Sequence, residues 1–287
     1  AAIVARLSAR PPPARVERSA PFIGRAAELA RLDAAFADVA AGGARTVCIE
    51  GQSGIGKSAL VHAFGERLEA RDPSVRIVAG RCYERESVPF KGIDGVVDSL
   101  VRDLMRRDPI DVALLLTPEV EALARIFPVL RRVTAIARLS VRKPDSPIEL
   151  RARAFRGLRQ LLGALAARHP LVVVIDGLQW ADVPSLDMFR ELLRRPVQLP
   201  IMVVAVTRPE DRVAPFIEGF MRIELGGLTA DEQVRLIEAH LGVRDGVAGV
   251  CAELVPRVAG NPFFLLEMVD ALLERGTLEI VERAGRR

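Results

Sequence analysis

Lys57 and Ser58 close the run Gly51-Gln52-Ser53-Gly54-Ile55-Gly56-Lys57-Ser58, which follows the apolar triplet Val47, Cys48, Ile49. Gly-x-x-x-x-Gly-Lys-Ser between a strand and a helix is a phosphate-binding loop. Its glycines allow backbone turns that a side chain would hinder, so that successive N–H groups can converge on phosphate oxygens. A helix starting near Lys57 adds the positive end of its dipole. The Lys57 ammonium would reach the β- and γ-phosphates, and the Ser58 hydroxyl would ligate Mg²⁺. A glycine-rich turn without a ligand has the same neighbours but no need of Lys-Ser. The helical spacing of Ala59, Leu60, Ala63, Phe64 and Leu68 supplies the helix that the motif requires. Residues 51–58, with Ala59 in the first helical turn, therefore read as the phosphate site.

A second element completes it. The run Leu-Val-Val-Val-Ile at 171–175 ends in Asp176. An acid at the carboxyl end of a parallel strand lies at the crevice where nucleotides bind, and Asp176 would hold Mg²⁺ through water. The competing reading is a solvated turn acid. Hydrolysis also needs a group to orient or deprotonate water, and the residue after Asp176 is Gly177, which can do neither. Gln179 is favoured for orienting water through a hydrogen bond. Asp182 could serve as a base, but its place before Val183-Pro184 suits an N-cap better. Glu50 abuts the loop and could equally end its strand. Trp180, the sole tryptophan, is expected to pack between helix and sheet.

These side chains need a frame. Strand patterns at 47–49, 75–82, 171–175 and 201–206, then 223–225, alternate with helical patterns at 26–41, 57–68, 93–105, 148–168 and 186–193. Short helical patterns at 120–127 and 129–139 are broken by prolines. Alternation of this kind predicts an α/β fold, a parallel sheet flanked by helices on both faces. The stretch 1–20, with Arg10-Pro11-Pro12-Pro13, reads as a linker, and 21–225 as the nucleotide-binding core. After it only helices are visible. Thr229 and Glu232 form a capping box, Gly242 is a stop, and Asn261-Pro262 starts a further helix, so 226–287 reads as a small all-helical lid domain.

Composition narrows the classes further. The 287 residues carry a net charge of +4, almost wholly from scattered arginines, which argues against a nucleic-acid patch through this segment. Cys48, Cys82 and Cys251 lack metal or redox spacing and fit a reducing cytoplasm. No apolar run approaches the ~20 residues needed to span a bilayer. A first residue of Ala fits a processed product or a piece of a longer chain.

The set Phe22-Ile23-Gly24-Arg25, residues 51–58, Asp176-Gly177-Leu178-Gln179-Trp180-Ala181-Asp182, Thr207-Arg208-Pro209 and Gly260-Asn261-Pro262-Phe263 resembles the STAND-class AAA-type ATPases, regulatory modules of bacterial signalling proteins. The stretch 80–90 looks most like versions adjoining Ser/Thr kinase domains. The resemblance covers about residues 21–275 and implies a P-loop NTPase core. Ile23, Gly24 and Arg25 would line adenine and ribose. Arg208 would read the γ-phosphate, and Pro262 would contact the base from the lid. Relatives in this subgroup carry a second acid where this chain has Gly177. The related NACHT branch has Asp-Gly and places its first acid about where Gln179 stands. The implied function is an ATP- and Mg²⁺-dependent conformational switch with slow hydrolysis to ADP. Its partners would be ATP or ADP and further domains of a longer signalling chain or another protein, with a nucleotide-dependent oligomer as a further expectation. Other readings stay open: a non-hydrolysing nucleotide-gated scaffold, a small-molecule kinase, or the ATPase part of a Ser/Thr kinase or LuxR-type regulator.

Overall fold

The computed structural model describes residues 22–84, 89–140, 146–193, 199–209, 213–243 and 247–278; the proline-rich stretch 1–20 lies outside them. The chain divides into two compact units. The first, Arg25–Leu225, contains α1 (Ala26–Ala40), β1 (Arg45–Gly51), α2 (Lys57–Arg71), β2 (Arg76–Arg81), α3 (Lys91–Met105), the short α4 (Pro109–Ala113), α5 (Val120–Ile126) and α6 (Thr134–Ala137), and then α7 (Pro147–Ala166), β3 (Leu171–Asp176), α8 (Val183–Leu192), β4 (Ile201–Thr207) and β5 (Met221–Leu225).

All strand pairs are parallel, in the order β2-β3-β4-β1-β5. Strand periodicity divides each apolar run between two cores. Leu171, Val173 and Ile175 face one layer with α3, α5, α7 and α8, while Val172 and Val174 face the other with α1 and α2. This is why β3 and β4 read as unbroken apolar runs: every residue of β4 is buried. The expected pattern at 129–139 resolves into a 3₁₀ turn at Pro128–Arg132 followed by the four-residue α6, with Val133 in an extended conformation between them.

The second unit joins residues 22–24 to α9 (Ala230–Leu241), α10 (Ala248–Leu254) and α11 (Pro262–Glu274) around Leu236, Ile237, Leu254, Leu265 and Val269. Thr229 and Glu232 form the reciprocal capping box, Gly242 ends α9 in the left-handed region, and Asn261 Oδ1 accepts from the N–H groups of Phe263 and Phe264.

Candidate functional site

The loop between β1 and α2 takes its shape from its glycines. Gly54 and Gly56 adopt φ of 76° and 99°, the left-handed region where a side chain is strained. Gly51 serves differently: a Cβ there would lie 2.9 Å from Ile55 Cγ2 and 3.0 Å from the Leu225 carbonyl. Ile55 is buried and anchors the loop from within. The first turn of α2 then offers the N–H groups of Lys57, Ser58 and Ala59, which have no intrahelical acceptor. Lys57 Nζ donates to the carbonyls of Gly51 and Gln52, both at 2.7 Å. Burial lowers the Lys57 pKa below the ordinary lysine value; Arg208 pushes the same way and Asp176 opposes.

Ser58 Oγ donates to Asp176 Oδ2 at 2.7 Å. The strand order explains how residues so far apart in sequence meet. β4 lies between β1 and β3, and the loop, Thr207 and Asp176 all emerge at the carboxyl ends of parallel strands. A hydroxyl and a carboxylate in contact at a helix N-terminus form an oxygen donor set suited to Mg²⁺. Among the described residues no cluster of three or more His, Cys, Asp or Glu side chains offers another metal site.

Arg208, just beyond β4, is brought to the same place. Its Nη2 donates to Ser53 Oγ at 3.1 Å, and its guanidinium stands 6.0 Å from the centre of the Trp180 ring. Trp180 packs on the core as expected, and it also backs Arg208. Gln179 is almost fully buried, and its Oε1 accepts from the Thr207 hydroxyl at 3.2 Å and the Arg208 N–H at 3.3 Å. Its oxygen is thereby committed to the end of β4, leaving only the NH₂ group to meet a water.

The other two candidate bases are engaged elsewhere. Asp182 holds the N-cap position of α8 but makes no cap bond to that helix. Its Oδ2 accepts instead from the Phe90 N–H, at the start of α3, at 2.7 Å, and its Oδ1 accepts from Ser185 Oγ. Ser185 Oγ in turn accepts from the Gly92 N–H at 3.0 Å, so this network fastens α8 to α3. Glu50 does not end its strand, since β1 continues through Gly51; it is buried and paired with Arg222 at 3.5 Å.

Arg25, at φ 64°, is turned toward the loop: Nη2 donates to the Ile55 carbonyl at 3.2 Å and Nη1 pairs with Glu28 at 3.2 Å. Ile23 and Gly24 belong to the helical unit. Ile23 packs on its core, and Gly24, at φ 76°, lies so close to Glu232 that a Cβ would collide with the carboxylate. Pro262 is in the same unit, at the first position of α11. Its turn is fixed by the bond from the Leu228 N–H to the Gly260 carbonyl at 2.8 Å.

Two residues near Asp176 carry roles that the motif reading did not assign. Thr207 is fully buried with its hydroxyl on Gln179, and Arg81 at the end of β2 has Nε 3.9 Å from Asp176 Oδ2. The signal for Thr207 was present, since a polar residue ends an apolar strand there just as Asp176 ends β3. Arg81 gave none, because its approach follows from the pairing of β2 with β3.

A five-stranded parallel sheet with a glycine loop, a helix N-terminus and a strand-end acid is the architecture of a P-loop NTPase. Residues 21–204 match the AAA ATPase domain family, to which the chain belongs. Residues 229–285 match a domain of unknown function. An uncharacterized protein of Rhizobium meliloti is 26% identical over 290 residues, covering 92% of this chain and 26% of its own length. The chain thus spans about a quarter of the curated relative that it matches. Among solved structures, the Aeropyrum pernix ORC1 protein in complex with DNA superposes with a TM-score of 0.53 at 20% identity, over 93% of this chain and 64% of that one, a likeness of fold. A STAND protein of Pyrococcus horikoshii with a tetratricopeptide repeat sensor gives 0.47 at 16% identity, over 92% and 31%. No helix among the described residues is long and apolar enough to cross a membrane.

Proposed function

We propose that this chain is an ATP- and Mg²⁺-binding regulatory module of a bacterial signalling protein, of the STAND class, whose nucleotide state selects between conformations. ATP would be cleaved slowly to ADP and phosphate. The observation that carries the reading is the 2.7 Å contact of Ser58 with Asp176 beside Lys57 and the free first turn of α2. The turn N–H groups and Lys57 would grip the phosphates, with Lys57 exchanging its two loop carbonyls for phosphate oxygens. Ser58 and Asp176 would hold Mg²⁺, which when bound neutralises charge on the β- and γ-phosphates. Arg208, within reach of Ser53 and of the field of Lys57, would respond to the γ-phosphate. Ile23, Gly24 and Pro262 would contribute to the base site, and Arg25 would brace the loop through Ile55.

Slow turnover follows from the water side. No carboxylate among Glu50, Asp182 and position 177 is disposed to act as a base, and Gln179 can orient water only through its NH₂ group. The test is phosphate release from purified protein with Mg-ATP against a Lys57→Ala control. A slow rate that vanishes in the variant is expected. Zero release by wild type that still binds ATP would favour the non-hydrolysing scaffold, and a rate indifferent to Lys57 would remove the site.

A further inference from the structure

The two edges of the sheet are finished differently. On β5, Arg31 of α1 donates from Nη2 to the Arg222 carbonyl at 2.6 Å and so occupies an edge acceptor. On β2, residues 76 and 82 turn inward: the Arg76 N–H donates to the Pro170 carbonyl at 2.9 Å and the Cys82 N–H to the Asp176 carbonyl at 2.8 Å. By strand alternation Ile77, Ala79 and Arg81 turn their N–H and C=O groups outward, where among the described residues they meet no backbone partner. Ala79 and Arg81 are exposed. β2 has no proline and no lysine, and an uncovered edge of this kind is a template for strand addition. Beside it, on the α2 face, runs a groove of about 460 Å³ lined by Val61, Glu66, Glu69, Ile77 and Arg81.

We propose that β2 is the pairing edge of a two-fold dimer, with the β2 strands of two copies antiparallel, so that the two sheets become one. The chemistry of the edge is self-complementary. The register that engages all three outward residues sets Ala79 opposite the second copy's Ala79, and Ile77 opposite the second copy's Arg81. Each opposed pair exchanges two backbone hydrogen bonds. Opposed residues share a face, so each Arg81 enters the other copy's groove, beside Ile77 and the α2 carboxylates Glu66 and Glu69. Glu66 pairs with His62, whereas Glu69 makes no ion pair among the described residues. No arginine faces an arginine, and each copy offers both signs, as an isologous contact requires. The interface is small, so the dimer is weak and concentration-dependent. The groove also reaches Ser58 and Asp176, and Arg81 Nε lies 3.9 Å from Asp176 Oδ2, so the pairing edge adjoins the nucleotide site, although neither the backbone pairing nor its test requires nucleotide.

Sedimentation velocity on the nucleotide-free chain over roughly a hundredfold concentration range tests it. Wild type is expected to shift from monomer toward dimer, and less so at high salt. Ala79→Pro removes only an outward N–H and should stay monomeric while its circular dichroism matches wild type. Glu69→Arg, an exposed helix position, should weaken association by about tenfold. Wild type that stays monomeric throughout would overturn the proposal and leave the edge to a strand from another protein. Folded Ala79→Pro that dimerises normally would place the contact elsewhere. If Ala79→Pro fails to fold, Glu69→Arg decides, and an unchanged dimer constant there overturns the pairing.

Discussion

Gly177 is fixed by its backbone as well as by its missing side chain. At φ 78° it lies in the left-handed region, and a Cβ would approach the Cys82 carbonyl to 2.8 Å. Gly177→Asp should therefore cost about 1–3 kcal/mol of stability, measured by denaturant unfolding, and restore no turnover. Gln179→Glu places an acid where the surroundings already supply two donors, the Thr207 hydroxyl and the Arg208 N–H. One carboxylate oxygen can keep those bonds while the other faces water, so phosphate release should rise by about tenfold or more. The lowered pKa of Lys57 has a signed consequence. Its cationic form is lost at lower pH than for an ordinary lysine, so ATP affinity should begin to fall with rising pH before a surface lysine titrates. Stability runs the other way: holding the buried ammonium is a cost, and it is relieved as pH rises through the lowered value. Calorimetric titrations at stepped alkaline pH would follow the affinity. The convergence of residues 51–58 with Asp176 was legible because a phosphate-loop spacing and an acid ending an apolar strand imply neighbouring strand ends. The bonds of Gln179 were not, because its partner lies 28 residues away and meets it only through the order of the strands.

At the scale of elements, helix starts were readable where one side chain does the capping. Thr229 and Asn261 both do so at the positions their types indicate. Asp182 shows the limit of that signal: it has the right type and position, yet its carboxylate accepts from the Phe90 N–H just before α3 and from the Ser185 hydroxyl instead of from a backbone N–H of α8. Helix α2 carries the site residues Lys57 and Ser58 and is held to the sheet by Leu60, Phe64 and Leu68, all buried. The Phe64 ring meets Phe36 of α1 edge-on, centroids 6.4 Å apart. Phe64→Ala should cost about 3–5 kcal/mol, seen as a lower midpoint in denaturant. It should also weaken ATP binding in the protein that remains folded, because the first turn of α2 loses its seat.

At the scale of the molecule, alternating periodicities were enough to give a parallel α/β sheet and a helical tail. They could not give the order β2-β3-β4-β1-β5, since pairing partners are set by long-range packing between similar apolar strands. That order carries the functional argument. It inserts β4 between the loop strand and the acid strand, and so brings Thr207 and Arg208 between Lys57 and Asp176. Membership of the AAA ATPase domain family agrees with it. The open β2 edge became visible only once the order was known. The proposed switch stands or falls on whether the loop at 51–58 grips nucleotide. Isothermal titration of Mg-ATP into wild type and Lys57→Ala asks this directly. Saturable binding by wild type and at least about a hundredfold weaker binding by the variant are expected, the loss of a charge-assisted contact of roughly 3 kcal/mol. Equal affinity in the two proteins would put the nucleotide elsewhere and leave the switch without its site.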